Sequence, residues 1–158
     1  MNQTKQLESA QTRSIISAKF IEPGFEYWFT NHEHVRSPFP IGIINSVKEK
    51  TTKLFFEWME GLKDPELNEM NDNEFVEMFE TILFNEAFKL VENEDQQLTV
   101  SYPFMPRLGD KVNHSLYGQG EVIGRKAIIS KENKKLFVLT VLSQETGKSW
   151  ETQFVLSV

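Results

Sequence analysis

The sequence predicts an α+β chain in two parts: a mainly helical unit over residues 15–105, entered from a flexible start at 1–14, and a small β-barrel over 106–158. Three observations predict it. Apolar residues recur at three- and four-residue steps between Ile43 and Val91, the period falls to two after Gln97, and glycine-bearing turns cut the last fifty residues into short strand-like segments.

Residues 1–14 (MNQTKQLESAQTRS) carry no hydrophobic period and are expected to be irregular. Next, Ile15, Ile16, Phe20 and Ile21 lead to Pro23-Gly24, and Phe25, Tyr27, Trp28 and Phe29 follow, which suits two short extended segments about a turn. Residues 31–40, with Pro38 and Pro40, read as a loop, because each proline turns its predecessor away from helix. A helix is expected from about Ile43 to Leu62, with Ile43, Ile44, Val47, Leu54, Phe55, Trp58, Met59 and Leu62 on one face, stopped by Gly61 and Asp64-Pro65. After a polar connector, Asn71 with Glu74 three residues on forms a capping box. It opens a second helix over about Asp72–Glu92, whose stripe is Phe75, Val76, Phe79, Ile82, Leu83, Ala87, Leu90 and Val91. Leu98, Val100 and Tyr102 then alternate with polar residues, predicting a short strand that ends at Pro103.

Beyond Pro106 the predicted strands are Lys111–His114, Gly120–Ile129, Lys135–Leu142 and Lys148–Leu156. Four or five short strands at this spacing suggest a barrel that closes to remove its edges.

Composition narrows the function classes. Thirteen Phe and three Trp supply a core, and the absence of Cys excludes a disulfide framework and a thiol nucleophile and points to a reducing, cytoplasmic compartment. The start has no apolar stretch after a basic one, so it is not read as a secretory signal, and no apolar run is long enough for a membrane span. Residues 1–106 hold nine basic against eighteen acidic side chains and residues 107–158 eight against five, so an acidic part precedes a mildly basic one.

The most specific run is Gly109-Asp110-Lys111-Val112-Asn113-His114-Ser115-Leu116-Tyr117-Gly118-Gln119-Gly120-Glu121-Val122. It sets a strand, a turn whose Gly118 and Gly120 permit backbone angles closed to other residues, and a second strand. The pattern Gly-Asp-x-Val-x-His-x-x-aromatic-Gly-x-Gly-x-Val resembles the opening of the Tudor-like C-terminal module of UvrD/PcrA-type repair helicases. It is also similar to the small SH3-like barrels of CarD-type transcription regulators. The likeness covers about a third of the chain, and the strands through Trp150 depart from the helicase ending. It implies an SH3/Tudor-like fold, a bacterial source and a protein partner such as RNA polymerase or repair proteins.

Candidate partner-binding residues are Tyr117, Trp150, Arg125 and Lys126. Tyr117 and Trp150 read either as an exposed aromatic platform or as plugs of the core, where aromatic rings more often lie. Arg125 and Lys126 belong with Arg107, Lys111, Lys131, Lys134 and Lys135 to a basic set that reads either as a nucleic-acid-binding patch or as a solvated surface.

No catalytic residue, cofactor or metal site is expected. Gly147-Lys148-Ser149 has Leu142 where a phosphate-binding loop needs glycine, and its context is strand-turn-strand. His32 and His34 make half a metal site at most, and Glu74, Glu77 and Glu80 lack the histidine partners of a di-iron bundle. The expected function is therefore a non-enzymatic adaptor. A nucleic-acid-binding protein is the alternative, and a small enzyme using His32, His34 and His114 a third reading.

Overall fold

The computed structural model describes residues 10–32 and 34–156 and has an α+β fold. The chain divides into two compact units, Met1–Pro103 and Phe104–Val158. No helix among the described residues is long and apolar enough to cross a membrane.

Among the described residues the first unit is mainly helical. Of the start expected to be irregular, residues 1–9 lie outside the described residues and 10–14 belong to a helix, α1, over 10–16. A π-helical stretch, Ser17–Ile21, joins α1 to α2, Glu22–Phe29. The extended segments expected about Pro23-Gly24 are therefore corrected to one helical run. Two physical reasons overrule the turn signal. The N–H of Glu22 closes the last wide turn on Ser17 O, so Pro23, which has no N–H, falls at the start of α2, where that donor is not needed. Gly24 in turn lets α2 lie flush on a later helix: a Cβ there would stand 2.3 Å from Phe79 Cε1. The buried residues Ile21, Phe25 and Trp28 follow the four- and three-residue steps of a helix.

The loop that follows is held by reciprocal backbone hydrogen bonds between His32 and Val35. It inserts Phe39 into the core, where its ring lies 5.2 Å from those of Phe29 and Phe84. Helix α3 spans Ile44–Gly61 and buries Val47, Thr51, Phe55 and Met59 at successive four-residue steps. The polar connector contains a short helix, α4, Asp64–Glu69, in which the Glu66 carboxylate accepts from Lys63 N–H at 2.9 Å. Helix α5, Asp72–Leu90, opens on the predicted capping box: Asn71 Oδ1 accepts from Glu74 N–H and Glu74 Oε2 from Asn71 N–H. Its Phe75, Phe79, Leu83 and Ala87 face inward, and the Phe79 ring stands edge-on to Phe25 and Phe55.

The strand expected over Gln97–Tyr102 is also corrected: Glu94–Ser101 is a helix, α6. Asn93 caps it by accepting from the N–H groups of Asp95 and Gln96, and Glu94 and Asp95 put negative charge at the positive end of its dipole. Those end effects outweigh a two-residue alternation only six residues long, and Val100 joins the helical core.

The second unit is an antiparallel sheet of β1 (Lys111–His114), β2 (Gly118–Ile129), β3 (Lys135–Ser143) and β4 (Ser149–Val155) in the order β1-β2-β3-β4. It curls into half a barrel, with β1 and β4 at its two edges. One face carries the buried Val122, Phe137, Leu139, Val141 and Trp150, which the strand register sets in adjoining rows. Val122, Val141 and Trp150 form one such row, and a bulge at Ile123 shifts the register beyond it.

Candidate partner-binding site

Gly109 sits at φ of +88°, a region open to glycine, and hydrogen bonds fix the Gly-Asp pair from there. Asp110 Oδ2 accepts from Arg107 N–H at 2.8 Å, and Gly109 N–H and Asp110 O both bond to Val122, which extends the β1–β2 pairing backward. The two strands are thus clamped at one end. At the other end Gly118 turns the chain with φ of +72°, a region glycine enters without steric cost.

Gly120 works differently from the expected backbone freedom, for it supplies space. A Cβ on it would stand 2.5 Å from both Trp150 Cη2 and Val141 Cγ1 and 2.8 Å from Leu142 O. The indole of Trp150 occupies that space and is 8% exposed. Tyr117 stacks on the indole, with ring centroids 5.4 Å apart and planes at 24°. His114 completes the cluster, 4.7 Å from the Tyr117 ring and 6.2 Å from Trp150. Its Nδ1 accepts from Leu116 N–H at 3.1 Å, which ties the ring to the turn and leaves the proton of the neutral imidazole on Nε2.

The cluster has a buried floor and an outward face. Trp150 forms the floor, and Tyr117 and its neighbour Leu116, 54% and 81% exposed, form the face. Among the described residues Trp150 Nε1 has no hydrogen-bond partner, although it is buried. A buried donor left in that state costs about 1–3 kcal/mol.

The four candidate residues do not all converge. Tyr117 and Trp150 are in contact, so the platform and core readings each describe one of the two rings. Arg125 pairs in register with Leu139, which puts it on the face of Val141 and Trp150, but its Nη1 donates to Pro106 O at 3.1 Å. Lys126 is exposed and pairs with Val138 on the opposite face, since neighbouring strand residues alternate. Of the remaining basic set, Lys111 pairs with Glu121 and Lys134 with Glu132, each at 3.2 Å. Sequence reasoning missed His114 and Leu116 as members of the site. Their signal was the step from His114 to Tyr117 across a glycine turn, which brings both rings to one strand end.

The other histidines lie in the first unit. His32 Nε2 is 2.6 Å from Tyr27 O, so a backbone carbonyl engages that ring nitrogen. The chain matches no protein-family model, no curated protein and no solved structure.

Proposed function

We propose that the chain is a non-enzymatic adaptor whose half-barrel is an SH3/Tudor-like module that docks a protein of the transcription or DNA-repair machinery in the cytoplasm. One observation carries this reading: Tyr117 is held outward on a buried Trp150, with Leu116 exposed beside it. A large ring braced from beneath loses little conformational freedom when it is covered, and such aromatic anchors dominate protein interfaces. The motif from Gly109 to Val122 adds its resemblance to modules that contact RNA polymerase.

Direct nucleic-acid binding has less support, because Lys111 and Lys134 are paired with carboxylates and Arg125 and Lys126 lie on opposite faces. The test is retention of RNA polymerase or repair proteins by the immobilised full-length protein, with and without nuclease, for wild type and Tyr117→Ala. Retention that survives nuclease and is lost with Tyr117→Ala supports the adaptor. Retention that nuclease abolishes, with affinity falling steeply in salt, supports nucleic-acid binding instead. Equal retention by wild type and Tyr117→Ala overturns the proposed site.

A further inference from the structure

The sheet leaves an edge that is complementary to itself. Strand β4 has seven residues, pairs on one side with β3, and stands last in the sheet. Its hydrogen-bonding phase follows from two bonds at its ends: Ser143 N–H donates to Lys148 O, and Leu156 N–H to Lys135 O, each at 2.9 Å. In an antiparallel ladder, hydrogen-bonded and non-hydrogen-bonded pairs alternate. Trp150, Thr152 and Phe154 therefore direct their main-chain groups to β3, while Ser149, Glu151, Gln153 and Val155 direct theirs to the open edge. Glu151, Gln153 and Val155 are exposed.

Edges of this length are usually blunted by proline, lysine or a bulge. Strand β4 contains no proline or lysine, Glu151 is its one charged residue, and its register with β3 runs without a shift. Strand β1, the other edge, has four residues and begins with a lysine.

We propose that β4 pairs antiparallel with β4 of a second copy of this chain, about a two-fold axis at Thr152, so that the two sheets become one. The hydrogen-bonding phase of β4 selects the axis. Centring it between two residues would set outward-directed groups against groups already used by β3. Centring it on Glu151 opposes two carboxylates, and centring it on Gln153 leaves Ser149 and Trp150 without partners from β4. Centred on Thr152, Glu151 faces Gln153 of the other copy and Ser149 faces Val155, forming about eight backbone hydrogen bonds. On the buried-side face, Trp150 meets Phe154 of the other copy, and Phe154 is 39% exposed without it. Aromatic cross-strand pairs of this kind are favourable, and the register opposes no like charges. This interface shares Trp150 with the Tyr117 cluster but does not rest on the adaptor reading.

The test uses the exposed position 153 and the absence of cysteine. Sedimentation equilibrium of the full-length protein should show a monomer–dimer equilibrium. At low salt, Gln153→Lys, placed opposite Glu151 twice per dimer, should tighten it by about two- to thirty-fold, and Gln153→Glu should weaken it by a similar factor. A general effect on folding would not reverse with the sign of the charge, and circular dichroism checks that both variants are folded. In a chain that otherwise has no Cys, Thr152→Cys puts two thiols across a non-hydrogen-bonded pair, with Cα atoms about 4.5 Å apart and within disulfide range. Mild oxidation should cross-link it faster than Ser149→Cys or Gln153→Cys. A monomer at every concentration overturns the proposal, even if the edge then takes up an extended peptide. So does a shift in the same direction for both charge variants, or cross-linking of Gln153→Cys that matches Thr152→Cys.

Discussion

The indole of Trp150 lies directly over the Cα of Gly120, in space that any side chain at that position would fill. The contact joins β2 to β4 across β3 and fixes the height at which Tyr117 stands above the sheet. Gly120→Ala should therefore cost about 1–3 kcal/mol, because Val141 and the backbone of Leu142 crowd the same point and cannot both withdraw. Urea unfolding followed by circular dichroism measures the loss, and a red shift of tryptophan emission in the folded variant would report the displaced indole.

Gly24 offers the matching experiment in the helical unit. Its Cα approaches the face of Phe79, a ring 1% exposed and surrounded by Phe25 and Phe55. Gly24→Ala should destabilise by about 1–3 kcal/mol despite the better helix propensity of alanine, which favours the substitution by about 1 kcal/mol where nothing is in the way. Thermal unfolding decides the sign: a raised midpoint would mean that α2 and α5 do not pack as closely as described.

Thr51 is wholly buried on α3, and among the described residues its hydroxyl has no hydrogen-bond partner. Thr51→Val replaces that hydroxyl with a methyl of similar volume. It should stabilise the protein by about 1 kcal/mol, as expected when an unsatisfied polar atom is removed. A loss of stability in denaturant titration would count against an orphan hydroxyl at this site.

Asn71 caps α5 through its hydrogen bond from Glu74 N–H. Asn71→Ala should lower stability by about 1 kcal/mol, and Asn71→Asp should keep it, since a carboxylate accepts the same bond and favours the helix N-terminus. Chemical denaturation of the two variants side by side checks the contrast.

Most of the fold could be read from the residues, for reasons that differ along the chain. Helices α3 and α5 are long enough for their apolar stripes to outvote local exceptions, and the Asn71–Glu74 box marks a boundary by chemistry. The four strands emerge because residues that bend the chain, Gly118, Asn133 and Gly147, all at positive φ, separate them. Helix α6 was misread because six alternating residues fit either period, while the cap at Asn93 lay just before the segment considered. Pro23-Gly24 was misread because the pair carries the composition of a turn, whereas its work depends on Phe79, more than fifty residues away. In the site, Tyr117 and Trp150 come together although Trp150 lies outside the motif, so their contact depends on the sheet and not on the motif's spacing. The separation of Arg125 from Lys126 follows from strand alternation, and only the register places each on its face.

The π-helical stretch before α2 acts as a phase shifter. Upstream, Ile16 and Phe20 pack against the core four residues apart; downstream, Ile21, Phe25 and Trp28 do so, one residue out of step with the first pair. In an uninterrupted α-helix turning about 100° per residue, the pair Ile16 and Phe20 would centre roughly 130° away from Ile21, Phe25 and Trp28, too far for one narrow stripe. The wide turn absorbs that one-residue offset and lets two differently phased apolar stripes share a single axis. Excising one residue from Ser17–Ile21 should rotate α1 relative to α2 by about 100° and turn Ile16 away from the core, so the residue count of the wide turn and the packing of Ile16 specify the same orientation of the leading helix.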